Sequence, residues 1–315
     1  VMSSTPDELE ANLNELHRYR KEVDLQIEQT LQILNAAGFS AQVPGLSSNL
    51  KVTLQQGRQA VDAYAALPRS ERTSKQLDDA IKQMFMAWDS CQEILKNVLL
   101  HTVAKDTSVS DSYTLILILA DLRDQAGRIA SNIIASVTFA EKIPEDNLAR
   151  SLQTQHQAHY LWGLVNTIQP EQAKTPEYLA LHQQVKTQFL DQGIPIVAAL
   201  INESMQNRAY SLTGTQLTEA MVDKFATVVN LQTYILDYSV SVAQNQKKQA
   251  QQQFILTLLV AIICLVTAGF TMIYARNGVF KPLLKAKNAI LRLAHHKVAD
   301  NEFYELSNFP VTLLQ

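Results

Sequence analysis

Apolar residues recur at helical spacing along most of the chain, and capping signals divide that pattern into separate helices. Thr5-Pro6-Asp7-Glu8 sets a Thr N-cap, a Pro at the first helical position and acidic residues in the first turn, with Glu8 completing a capping box. Leu9, Leu13, Leu16, Val23, Ile27 and Leu34 then follow a heptad seam broken at Arg20 and Thr30, until Gly38 supplies a stop. A second helix is predicted from about Leu46 to Leu67, ended by Pro68, and a third from about Thr73 to Ala104. The third carries Leu77, Ile81, Met84, Trp88, Cys91, Leu95, Val98 and Thr102 on a seam that makes Cys91 a core thiol.

A fourth helix begins after Ser108-Val109-Ser110-Asp111, with Leu115, Leu119, Leu122, Ala126, Ile129, Ile133 and Ala140 on one stripe. A fifth runs from about Pro144 to Gln169, and Thr175-Pro176-Glu177 caps a sixth that Gly193 and Pro195 should kink. Thr213-Gly214-Thr215-Gln216 opens a seventh, whose Met221, Val228, Ile235, Tyr238 and Val242 face a core, and nothing stops it before residue 254. The intervening AQNQKKQAQQQ, residues 243 to 253, keeps helix propensity without an apolar stripe and reads as a helical neck.

From Phe254 to Tyr274 the chain runs 21 residues without a charge. As a helix that covers roughly 32 Å, against about 30 Å of bilayer hydrocarbon, so it is predicted to cross a membrane. Arg276, Lys281, Lys285, Lys287 and Arg292 follow it closely, whereas only Lys247 and Lys248 precede it closely. The basic side is expected to be cytoplasmic, at the inner (plasma) membrane of a bacterium, with residues 1–253 periplasmic or extracellular.

Composition sharpens this reading. Nine Gly and nine Pro in 315 residues leave few breaks, so the fold class is all-α with long antiparallel helices. The net charge of -3 gives no reason to propose nucleic acid as a partner, and the external 253 residues alone carry -6. Cys91 and Cys264 fall on opposite sides of the predicted membrane boundary and cannot pair. For the seventh helix to descend to the membrane, alternation makes the first descend too, so a further helix should precede it and eight helices should form two stacked or adjacent four-helix bundles. Merging the second and third helices would give six, but at about 90 Å beside neighbours of about 45 Å. The modules expected are 1–107, incomplete at its N-terminus, and 108–253 with the neck, then the span 254–275 and a partial linker 276–315. The chain is read as a fragment of a longer protein.

The sequence after the span, RNGVFKPLLKAKNAILRLAHHKV, puts Val279, Leu283, Ala286, Ile290, Leu293 and Ala294 on one apolar side. With Pro282-Leu283 and the P-L-x-x-A-x-x-A-I-x-x-L-A progression, about 30 residues resemble the first helix of a HAMP linker, although His296 stands where that family usually has Gly. A second linker helix would begin near Glu302 to Leu306. An external helical region running through a span into such a linker resembles bacterial transmembrane receptors: histidine kinases, chemotaxis receptors and diguanylate cyclases with GGDEF output domains. The stretch from Asp121 to Val165, with DLRDQAGRIASNI and HYLWGLV, is similar to their helical sensor regions. The resemblance implies a signal relay through Pro282, Leu283, Ala286 and Ile290, a homodimer, and a small-molecule ligand or periplasmic binding protein as partner besides membrane lipid. A diguanylate cyclase output is preferred slightly over a histidine kinase. The alternative for the linker is a basic amphipathic helix lying on anionic lipid.

Candidate ligand residues are Arg123, Arg128, His159 and Trp162. Asp124 and Arg128 form an i,i+4 pair, ordinarily a solvated one, yet arginines flanking Leu122, Ala126 and Ile129 could clamp a carboxylate or phosphate at a core edge. Small Ala126 and Gly127 would leave room for it. His156, His159, Tyr160 and Trp162 form a His and aromatic cluster whose first expected role is packing, with an aromatic ligand wall as the alternative. A spacing of three permits shared metal ligation, but no third ligand is identifiable, so no metal or other cofactor is expected. Arg208 and Tyr210 belong to the turn before the seventh helix, where they could meet a partner. No nucleophile elbow, phosphate loop or dinucleotide fingerprint occurs, so no catalytic site is expected in these residues. The function expected is the sensory and membrane-spanning part of a signalling receptor; the alternative is a membrane-anchored helical adaptor without signalling output.

Overall fold

The computed structural model describes residues 6–105, 110–168 and 174–294. The predicted cap at Thr5, the start at Ser108, His296 and the expected second linker helix lie outside these residues, and so do the side chains of Cys91, Leu95 and Thr102. The helices are α1 (Pro6–Ala36), α2 (Val43–Ala66), α3 (Ser74–Lys105), α4 (Ser110–Phe139), α5 (Glu145–Thr167), α6 (Pro176–Gln184), α7 (Ile194–Met205), α8 (Gly214–Ala275) and α9 (Lys281–Ala294), and the described residues contain no strand. The chain is all-α.

Side-chain caps fix several of these ends. Thr73 and Gln76 form a reciprocal box: the Gln76 N–H donates to Thr73 Oγ1 at 3.3 Å and the Thr73 N–H to Gln76 Oε1 at 2.9 Å. Thr213 and Gln216 repeat it at the start of α8, at 3.3 and 2.9 Å. Gly38 follows α1 with φ +90°, a left-handed turn that any side chain would strain. Arg72 closes the α2–α3 turn by donating to the carbonyls of Ala65 and Leu67, so α2 and α3 are separate helices packed side by side and not one kinked rod. Helix α2 begins at Val43, a turn earlier than Leu46, with Pro44 in its first turn.

The chain resolves into two compact units, one up to Ala243 and one from Gln244. In the first, a large core joins α4, α5, α6, α7 and the first half of α8. Leu115, Leu119, Leu122, Ile129 and Ile133 of α4 are fully buried there against Phe189, Val197, Leu217, Leu231 and Ile235. Ala140 leaves the predicted stripe: it lies past the end of α4 with φ +53°, and Val137 takes its place in the core. Gly214 sits so tightly on α4 that a Cβ would lie 2.1 Å from Thr138 Oγ1.

The predicted kink before Pro195 takes a particular form. Residues Val185–Gly193 make a π-helical stretch between α6 and α7. The wider turn accommodates a proline that has no N–H to continue the α ladder. A second cluster, Tyr64, Leu77 and Ala135 with Ile81 and Phe139, joins α2 and α3 to α4. On α3 the seam differs from the predicted one. Ala80 and Ala87 are buried beside Leu77 and Val98, while Met84 and Trp88 are over a third exposed, and Met84 lies against Gly57 of α2, where a Cβ would come within 2.8 Å of its Sδ. Arg20, which breaks the α1 seam, lies on it and reaches Asp62 of α2 with two bonds of 2.8 and 3.0 Å.

In the second unit the apolar part of α8 has no buried residue, and it is, among the described residues, the helix long and apolar enough to cross a membrane. Helix α8 ends in a short π-helical turn, Arg276–Phe280, which leads straight into α9.

Candidate functional site

Helices α3, α4 and α8 enclose a cleft of about 230 Å³. Helix α3 contributes Phe85 and Trp88, one turn apart. Helix α4 contributes Ala120, Arg123, Asp124 and Gly127, and α8 contributes Phe225 and Gln232. Arg123 and Asp124 project at successive angles around α4, and both border the cleft because α3 and α8 flank that edge.

Arg123 is exposed, and its bond to protein is weak: Nη1 donates to Gln232 Oε1 at 3.5 Å. It makes no ion pair among the described residues. Gln232 itself is 8% exposed, a polar side chain held at the edge of the core. Arg128 is engaged differently. Its Nε donates to Asp124 Oδ1 at 3.0 Å, its Nη2 donates to Asp89, and its guanidinium lies 4.5 Å over the Phe85 ring. It does not line the cleft, so Arg123 and Arg128 do not form a joint clamp. The Asp124–Arg128 pair read from the i,i+4 spacing is present, with both side chains largely buried.

Burial is the main cause that raises the Asp124 carboxyl above the ordinary range, and neighbouring Asp89 and Asp121 add to it, against the lowering effect of Arg128. Asp121 is itself occupied, accepting from Gln92 at 2.7 Å and pairing with Lys96 at 3.0 Å.

The four aromatic and His positions of α5 separate. His156, His159 and Tyr160 are exposed, whereas Trp162 is buried. Trp162 stacks on His182 of α6 with ring centroids 4.4 Å apart, and His182 Nε2 meets Asn166 Oδ1 at 2.8 Å. His182 also tilts against Tyr178, which tilts against Tyr234. Burial lowers the His182 pKa, helped by Lys186, and pushes the Tyr178 phenol up to about 12. Trp162 is thus one member of a packing cluster, and His159 is not in it. Among the described residues no three His, Cys, Asp or Glu side chains could hold a metal ion together.

Tyr210 donates from Oη to the Glu141 carbonyl at 2.7 Å, so it ties the turn before α8 to the turn after α4. On α9, Leu283 and Ile290 are 61% and 64% exposed, while Pro282 and Ala286 are half-buried.

Sequence reasoning missed Phe85, Phe225, Gln232 and His182. The Phe85 and Trp88 spacing would have marked an aromatic pair on one face of α3. Nothing local links Gln232 to Arg123, 109 positions away. No known family, curated protein or solved structure matches this chain.

Proposed function

We propose that this chain is the sensory and membrane-spanning part of a bacterial signalling receptor, in which α8 carries a change in the external helices to a cytoplasmic output. The observation that carries the reading is the continuity of α8. One helix of 62 residues begins among core side chains, with Leu217, Val228, Leu231 and Ile235 fully buried, and ends in a charge-free segment fit for a bilayer. A helix transmits shift or rotation along its axis because its hydrogen-bond ladder resists local bending, and its packed end can hold discrete arrangements.

In this reading α1–α7 and the first half of α8 lie outside the cytoplasm as two helical bundles, and α9 is a HAMP-like relay. Its exposed Leu283 and Ile290 pair with a second copy of the chain, with Pro282 and Ala286 setting the close approach. The basic residues Arg276, Lys281, Lys285 and Lys287 keep that end at the cytoplasmic face.

Three measurements test it. A periplasm-active reporter fused after Ala243 should be active, and the same reporter fused after Ala294 inactive; the reverse pattern overturns the topology. The coding sequence beyond Gln315 should encode a GGDEF, kinase or methyl-accepting segment, whereas an immediate stop favours the adaptor. A Gly-Gly insertion after Gln249 in the full-length protein should change its output level, and unchanged output would refute the rod.

A further inference from the structure

We propose that the cleft between α3, α4 and α8 binds a free α-amino acid with an apolar side chain, its carboxylate on Arg123 and its ammonium on Asp124. The proposal deepens the receptor reading and rests on it for the consequence of binding, though not for binding itself.

Two opposite charges border one cleft: an Arg123 without an ion pair among the described residues, and an Asp124 with one oxygen on Arg128 and the other only weakly bonded. Arg123 has a 3.5 Å bond to a neutral amide and no carboxylate partner among the described residues. Asp124 shares one oxygen with Arg128 at 3.0 Å, while its other oxygen receives only a 3.4 Å bond from Gln125. Arg128 is drawn toward Asp89 as well, and Lys96 is committed to Asp121, so no second cation is assigned to Asp124. Charge-assisted bonds are the strong ones in such a site, and a guanidinium matches a carboxylate with two parallel donors.

The remaining wall is apolar. Trp88 is 38% exposed and faces the same space as Phe225. Phe85 already carries the Arg128 guanidinium on its ring. Ala120 and Gly127 keep the floor open; at Gly127 a Cβ would only touch Phe225, at 3.6 Å. About 230 Å³ leaves room for a single amino acid.

The charge pattern selects against simpler ligands. An anion alone would gain Arg123 but face Asp124, and a cation alone the reverse. A ligand carboxylate would also compete with Gln232, which is on α8, so occupancy is felt directly by the helix that enters the membrane.

Calorimetry on the full chain in detergent micelles tests this with L-phenylalanine and L-leucine, 3-phenylpropionate, phenethylamine and glycine. The apolar amino acids should bind, and each analogue lacking one charge or the apolar group should bind about tenfold more weakly or less. Arg123→Gln, at an exposed position, should weaken L-phenylalanine about tenfold while leaving phenethylamine unchanged. Gly127→Leu fills the floor and should abolish binding with the circular dichroism spectrum intact. Absence of amino-acid binding, or equal affinity in Arg123→Gln, overturns the site whatever the Gly-Gly insertion does to output. Binding that leaves output unchanged in the full-length protein supports the site and overturns the relay.

Discussion

The two halves of the first unit are held together by different means. Helices α4 to α8 share one contiguous core of fully buried Leu, Ile, Val and Phe side chains. Helix α1, by contrast, has no fully buried side chain among those described. It meets α2 through a half-buried seam and two ion pairs, Arg20–Asp62 at 2.8 Å and Arg58–Asp24 at 2.9 Å. Apolar burial gains free energy in proportion to the area removed from water, whereas half-exposed ion pairs contribute little after solvent screening. The difference teaches where rigidity lies: the core includes the start of α8, and the looser helices are those farthest along the chain from it. The proposed cleft sits at the junction, with α3 on one side and α4 and α8 on the other.

The contrast can be broken at its strongest point first. Leu119→Ala, in a fully buried α4 position, should destabilise the protein by about 2–5 kcal/mol, read as a fall in thermal midpoint in micelles. Leu16→Ala on the half-buried α1 seam should cost clearly less, and equal losses would erase the distinction between the halves. Next, Gly214→Leu should cost about 1–3 kcal/mol or more, because its Cβ would collide with Thr138 on the neighbouring helix. Combining it with Thr138→Ala should recover part of the loss.

A smaller effect should follow pH. The folded-state pKa of His182 lies below its ordinary value, chiefly because burial disfavours the charged ring and secondarily because Lys186 repels it. The unfolded chain therefore binds the proton more readily, so stability is complete above about pH 6.5 and falls as the pH drops below it. His182→Phe should flatten that part of the profile while keeping the stack on Trp162. The smallest effect is expected at Arg20→Gln, about 1 kcal/mol or less in global stability. Amide exchange should nevertheless quicken in α1 and α2 and stay unchanged in α4.

Among the described residues, helix order and most ends were legible because they depend on local chemistry, although the predicted sixth helix divides into α6 and α7 around a π-helical stretch. Gly38, Pro68, Thr73, Thr175 and Thr213 mark boundaries within a residue or two of where the helices turn, and the α4 stripe from Leu115 to Ile133 is buried as its spacing implies. The α3 seam was legible only in part. Heptad spacing pointed to Met84 and Trp88, but Ala80 and Ala87 are the buried residues, and Met84 stays over a third exposed even where it packs on Gly57 of α2. The candidate site was less legible still. Arg123 was found from its place beside a core stripe, yet its cleft partners Trp88 and Gln232 lie 35 and 109 residues away in sequence. The His and aromatic cluster of α5 dispersed because residues three apart on a helix share a face only roughly, and the core accepted Trp162 while leaving His159 in solvent.

Periodicity and capping residues were enough to establish an all-helical chain with a charge-free segment fit for a membrane, since both follow from residues within a few turns of each other. The π-helical stretch before Pro195, the exclusion of Arg128 from the cleft and the stack of Trp162 on His182 came from packing between helices. Those features depend on which distant side chains compete for the same space and the same hydrogen bonds, and no local window of sequence contains both competitors.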